Sequence, residues 1–165
     1  MIYKNLIFKN NLYISILIAF FIIIIDQITK NYVENHIQYN HILNISNILS
    51  ITLIYNYGAA FSILSDQNGW QIWFLIIISS IATLIFLILI NIEKNNIKYY
   101  ALSISLGGII GNLIDRMRQG YVIDFIFVHY KDLYLPIFNV ADICISIGIT
   151  IIIINDYIIN KTFKN

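Results

Sequence analysis

Two aspartates, Asp124 and Asp142, carry the clearest chemical possibility in this chain. Asp142 sits about one helical turn into an apolar block, after Pro136 and Asn139, and thirteen residues pass before the next charge. A carboxylate at membrane depth is costly, so its presence there needs a reason. Two carboxylates brought together in a poorly hydrated site cannot both ionise, and they share one proton. The ionised member can then take a proton from water as general base. The protonated member can donate to a carbonyl oxygen or a leaving nitrogen as general acid. That is amide hydrolysis with neither a metal nor a covalent intermediate. The sequence lacks the parts of rival chemistries: there is no GxSxG elbow and no HExxH pair, and Cys144 has no well-placed histidine among His36, His41 and His129. A Ser62/Lys30 dyad is the weaker nucleophilic option. No metal or cofactor is expected.

Each of these residues also has an ordinary reading. Asp142 can be a helix-start carboxylate held by the macrodipole, and Asp124 a solvated loop residue. Asp26 and Lys30 are spaced i, i+4, as in a simple helix-end ion pair. Asp115-Arg116 can be interfacial anchoring. What weighs against the ordinary readings is concentration. Asn112, Asp115, Arg116, Arg118, Asp124, Asn139 and Asp142 gather around two apolar blocks and the loop that joins them.

The elements that must position these groups are membrane spans. The 165-residue chain is 59% hydrophobic and only 12% charged, too little charge for the surface of a soluble domain. Apolar blocks at residues 11–30, 71–90, 99–114 and 139–159 read as four spans, the second opened by the interfacial pair Trp70 and Trp73. The first is not expected to be a cleaved leader, because its uninterrupted apolar core, Ile16 to Ile25, is followed by Asp26-Gln27-Ile28-Thr29-Lys30 in place of a small-residue cleavage site. Lys4, Lys9, Lys94, Lys98, Lys161 and Lys164 fall on one side, which predicts cytoplasmic termini. Ser103, Gly107 and Gly111, with Gly108 beside them, form a small-residue stripe that predicts close packing of the third helix on the fourth. Between the first two spans, residues 42–55 partly alternate and are rich in β-branched types, so short strands are expected at or above the interface. Asp66-Gln67-Asn68-Gly69 reads as a turn into the second span. One cysteine excludes an internal disulfide, and a net charge of +1 gives no sign of a nucleic-acid partner.

Five blocks then resemble the ordered signature of the bacterial lipoprotein signal peptidase (signal peptidase II) family. They are Asp26-Gln27-Ile28-Thr29-Lys30, Asn56-Tyr57-Gly58-Ala59-Ala60-Phe61-Ser62, Gly107-Gly108-Ile109-Ile110-Gly111-Asn112-Leu113-Ile114-Asp115-Arg116, Val122-Ile123-Asp124-Phe125 and Phe138-Asn139-Val140-Ala141-Asp142. The resemblance covers nearly the whole chain. It implies an all-α membrane protein in one domain, with four transmembrane helices, a small periplasmic β-cradle over residues 38–65 and an extramembrane loop. It further implies an aspartyl endopeptidase of the bacterial inner membrane that cuts prolipoproteins just before a diacylglyceryl-modified cysteine. In that resemblance Asp124 and Asp142 are the catalytic aspartates. Asn56, Asn112, Arg116 and Asn139 line the site and hold the substrate backbone or the dyad, while Asp26, Lys30, Asp115 and Gly108 support it. Its partners are the lipidated substrate and membrane lipid, and the chain is expected to be a monomer. Two readings from other classes compete. A transporter or channel subunit predicts charges spread through the depth of several spans, and an assembly factor predicts tolerance of Asp→Asn changes at both positions.

Overall fold

The computed structural model describes the backbone of residues 2–59, 63–65 and 67–162, and the side chains of residues 12–59, 63–65 and 67–158. Ala60, Phe61, Ser62 and Asp66 lie outside the described residues, and with them the Ser62/Lys30 option and the start of the turn before the second span. The side chains of Lys4, Lys9, Lys161 and Lys164 lie outside as well.

The element order is α1 (Ile2–His36), β1 (Leu43–Asn44), β2 (Leu49–Asn56), α2 (Trp70–Ile92), α3 (Asn96–Gln119), β3 (Val122–Tyr130), β4 (Leu133–Tyr134) and α4 (Val140–Thr162). Within these, Leu12–His36, Trp70–Ile92, Asn96–Gln119 and Val140–Ile158 are long and apolar enough to cross a membrane. α3 overruns its apolar block at both ends because those ends are set by capping rather than by hydropathy. Asn95 opens α3 three residues before Lys98, its side chain accepting from the backbone N–H of Ile97 and Lys98. Gly120 closes it in the left-handed conformation, φ 82°, which favours glycine. Trp70 and Trp73 at the head of α2 are exposed, as interfacial anchors are.

α3 is the central helix, packed against α1, α2 and α4. The glycines decide how closely, and they correct the expected use of the small-residue stripe. A Cβ on Gly107 would lie 2.8 Å from Ile22 Cβ and 2.9 Å from the Ala19 carbonyl oxygen, both on α1. Ser103 also faces α1, its hydroxyl 2.7 Å from that of Ser15, which contacts Tyr99 OH as well. The Ser103–Gly107–Gly111 stripe therefore turns chiefly toward α1. Gly108, rotated by one residue, is the contact with α4: a Cβ there would lie 2.4 Å from the Ala141 carbonyl oxygen. From the opposite side, a Cβ on Gly148 would lie 2.5 Å from the Ala101 carbonyl oxygen. Backbones this close gain dispersion contacts that lipid tails do not replace. At the far end of the bundle Lys98 pairs with Asp156, tying the start of α3 to the end of α4.

The second correction concerns residues 122–130, taken from sequence as part of a loop. They form the longest strand, β3, in an antiparallel sheet of order β1-β2-β3-β4. Val122-Ile123-Asp124-Phe125-Ile126-Phe127-Val128 is β-branched and aromatic throughout apart from Asp124, which is ordinary strand chemistry. Leu53, Ile123 and Phe125 pack with Val33 of α1 into a small core that seats the sheet on the bundle. The ladder pairs Ile51 with Ile126 but Ile54 with Asp124, so one extra residue enters β2 between them. Continuing the first register would leave Ile54 and Asn56 on the face of Ile123 and Phe125, away from Asp124. The extra residue turns them to the face of Asp124.

Gly108→Ala tests the helix contact. The added methyl must part α3 from α4, and overpacking of this kind costs about 1–3 kcal/mol. Thermal unfolding in detergent should show a clearly lowered midpoint, and an unchanged midpoint would mean the helices separate without strain.

Candidate active site

The site is built at the start of α4. Asn139 precedes the helix and Asp142 is its third residue. The Asp142 N–H donates to Asn139 Oδ1 at 2.9 Å, and the Asn139 N–H donates to Asp142 Oδ2 at 3.3 Å. This reciprocal cap fixes both side chains and places Asp142 in the positive field of the helix start. Asn139 Nδ2 also donates to Asp124 Oδ1, at 2.6 Å. One asparagine thus holds both carboxylates, and the strand and the helix meet there.

Two further asparagines complete the cradle. Asn56, at the end of β2, donates to Asp124 Oδ2 at 2.9 Å. Asn112, on α3, donates to Asp142 Oδ1 at 2.8 Å. A common rule orients all three amides. Each Oδ1 accepts from a group that can only donate: the Gly58 N–H for Asn56 at 2.9 Å, the Lys30 ammonium for Asn112 at 2.9 Å, and the Asp142 N–H for Asn139. Each amide nitrogen is thereby turned toward a carboxylate oxygen. The four oxygens of the pair are held by fixed donors before any substrate arrives.

Lys30 lies behind Asn112. Its ammonium is 2.8 Å from Asp26 Oδ2 and 2.8 Å from Asp115 Oδ2, and with Asn112 this uses its three protons. Lys30, Asp26 and Asp115 are 2%, 0% and 3% exposed. The i, i+4 pair expected from sequence exists, but it is half of a two-carboxylate site. Asp26 Oδ1 also accepts the Ala141 N–H at 2.9 Å, so α1 caps α4. Gly111 makes room for this, since a Cβ there would lie 2.6 Å from Asp26 Oδ2. Gln27, part of the first motif but given no role from sequence, donates to Asp115 Oδ1 at 2.7 Å. Asp115 Oδ2 accepts the Ile123 N–H at 3.4 Å, linking the cluster to β3.

Arg116 stands apart from these hydrogen bonds. Its guanidinium donates to the Gly58 carbonyl at 3.0 Å and ties the chain after β2 to α3. Gly58 admits no side chain, because a Cβ would lie 2.4 Å from the Ile63 carbonyl oxygen. Arg118, counted among the clustered polar residues, is exposed and lines a small crevice on the Gln27 side of Lys30.

Asp124 is 4% exposed. Burial first, and then the charge of Asp142, push its carboxyl up to about 7 against the opposing hydrogen bonds from Asn56 and Asn139. The pair opens on a cavity of about 630 Å³, walled by Asn56, Asn112 and Val122, by residues 135–138 and by the α4 residues Ile143, Ile145, Ser146 and Ile147. Beyond Asp142 its α4 wall is apolar except for Ser146. Among the described residues no cluster of His, Cys, Asp and Glu has the arrangement of a metal site.

A bundle of four apolar helices with a hydrogen-bonded carboxylate pair, Asp124 buried and Asp142 half-buried, under a small sheet defines a multi-pass membrane protein with acid–base capability at one end. Comparison with known proteins places it more closely. The family model described as signal peptidase (SPase) II matches residues 18–158. A lipoprotein signal peptidase of Buchnera aphidicola is 46% identical over 147 residues, 88% of this chain and 94% of that one. One of Cellvibrio japonicus is 42% identical over 146 residues, 87% of this chain and 85% of that one. A solved bacterial membrane enzyme at 33% identity superposes with a TM-score of 0.82, covering 92% of this chain and 91% of its own. The chain belongs to the signal peptidase II family and is a peptidase. The transporter and assembly-factor readings are not favoured.

Replacing Lys30 by Met leaves Asp26 and Asp115 buried without their cation. Breaking a buried ion pair from one side costs about 3–5 kcal/mol, so the variant should unfold well below the wild-type temperature or fail to accumulate. Wild-type thermal stability for Lys30→Met would show that the cluster does not hold the helices together.

Proposed function

We propose that this chain removes signal peptides from prolipoproteins whose cysteine carries a diacylglyceryl group, cutting just before that cysteine, with Asp124 and Asp142 as the catalytic pair. It acts as a single monomeric domain in the bacterial inner membrane, termini in the cytoplasm and dyad at the periplasmic face. The observation that carries the reading is the shared hold of Asn139 on both carboxylates. The positive-inside count supports the orientation, and membership of the family supports the substrate class.

The two aspartates have unequal surroundings, and we assign them unequal roles. Asp142 accepts a backbone N–H and the Asn112 amide at the start of a helix, and we assign it the base. Asp124 accepts only neutral side-chain amides and is more deeply buried, so it holds the proton. Asp142 then takes a proton from water as the oxygen adds to the scissile carbonyl, and Asp124 protonates the carbonyl oxygen. In the second half the carbon–nitrogen bond breaks. The nitrogen leaves with the proton held by Asp142, and one hydroxyl of the diol returns its proton to Asp124. Asn56, Asn112 and Asn139 hold the dyad, Arg116 has further N–H groups for a substrate carbonyl, and Asp26, Lys30, Asp115 and Gly108 fix the helices beneath.

Purified wild type should cleave a diacylglyceryl-modified prolipoprotein without added metal. Asp124→Asn and Asp142→Asn should each fold and lose roughly 10²–10⁴-fold in kcat, the usual contribution of a positioned acid or base. If both variants still cut, the dyad is wrong.

The proton on Asp124 sets the pH dependence. Its carboxyl ionises near 7, so turnover should fall on the alkaline side as pH rises through that value. Asn56 donates to the ionised form and lowers this value, so Asn56→Ala should move the alkaline limb to higher pH while reducing kcat. A limb that stays in place in this variant would count against Asp124 as the acid.

A further inference from the structure

Ser146 is the one hydroxyl in the α4 wall of the cavity. It stands four residues after Asp142, on the same face, about 6 Å further along the helix, and both side chains line the cavity. Its neighbours in that wall, Ile143, Ile145 and Ile147, are purely apolar. A serine in a membrane helix ordinarily satisfies itself by donating to the carbonyl four residues back. Thr29, Ser80, Thr83 and Ser103 do so here, to Ile25, Ile76, Ser79 and Tyr99. Ser146, like Ser79, Ser105 and Thr150, does not, and of these it alone lines the cavity; it is exposed and makes no hydrogen bond among the described residues. A free hydroxyl facing an apolar cavity favours a ligand that brings an acceptor to that depth, since an unpaired polar group there is costly.

This inference rests on the lipoprotein-peptidase reading above and names a determinant of its specificity. We propose that the Ser146 hydroxyl donates to an ester carbonyl of the glyceryl group on the substrate cysteine, so that the cavity prefers an acylated to an alkylated glyceryl thioether. The dimensions agree. From the scissile nitrogen through Cα, Cβ, sulfur and glycerol to an ester carbonyl carbon is roughly seven bonds, about 8 Å when extended. A substrate cut at the Asp124–Asp142 pair therefore brings its ester carbonyl to the level of Ser146. A dialkyl ether in the same place has no carbonyl, and the hydroxyl gains nothing from it.

The test compares two synthetic prolipoprotein peptides, one with a diacylglyceryl and one with a dialkylglyceryl cysteine, cleaved by wild type and Ser146→Ala in the same detergent. Wild type should favour the ester substrate by about fivefold in kcat/KM, the worth of one neutral hydrogen bond, expressed in KM rather than kcat. Ser146→Ala should cleave the two substrates with equal kcat/KM. A wild type without the preference, or a variant that keeps it, would overturn the assignment. If wild type cleaves neither peptide, the peptidase reading fails and this inference fails with it. Cleavage of both with no discrimination removes the role of Ser146 alone.

Discussion

A lysine ammonium buried between two aspartates holds this molecule in register. Lys30 and Asp26 come from α1 and Asp115 from α3, while the second oxygen of Asp26 caps α4 through Ala141. Three helices therefore meet within one charged cluster. None of its members can be left alone at that depth without a penalty larger than a surface pair ever carries. The same cluster reaches forward: the third proton of Lys30 fixes the Asn112 amide, and Asp115 accepts from the backbone of β3. Fold and chemistry share one anchor.

From that anchor the geometry of the dyad follows with little freedom. Three asparagines each surrender their oxygen to an obligate donor and present nitrogen to a carboxylate. The pair proposed as catalytic is thus held in place without substrate, and such preorganisation is where most electrostatic catalysis originates. The sheet contributes through an irregularity. A single extra residue in β2 turns Asn56 from the packed face of the sheet to the face of Asp124. The bundle contributes through missing atoms, since Gly108 and Gly111 let Ala141 and Asp26 come within reach.

Much of this was legible in the amino-acid sequence, and the parts that were not share a cause. Long apolar blocks are a one-dimensional signal, so the four spans and the strands within residues 42–55 could be read directly. The candidate site residues could be named from their order, and the structure brings most of them together. The ends of α3 lie beyond its apolar block because Asn95 and Gly120, not hydropathy, set them. β3 was missed because a lone charged residue in an apolar stretch between spans looks like a loop. The direction of the Ser103–Gly107–Gly111 stripe was wrong because a stripe shows which face of a helix is small, not which neighbour it meets. The third partner of Lys30 was invisible because the i, i+4 pair already satisfied it locally. Amide orientation is the extreme case, since it depends on three bodies from three elements.

α2 stands at the edge of this arrangement. It packs on α3, only lightly on α1, and leaves the cavity wall of α4 uncovered, so that Ile143 and Ile147 line the cavity and are exposed at once. The cavity is therefore open along the bilayer and not only from above. A molecule that enters by this side arrives by diffusing in two dimensions, already oriented and at the correct depth. Its supply is an areal density: added buffer leaves it unchanged, and added lipid dilutes it.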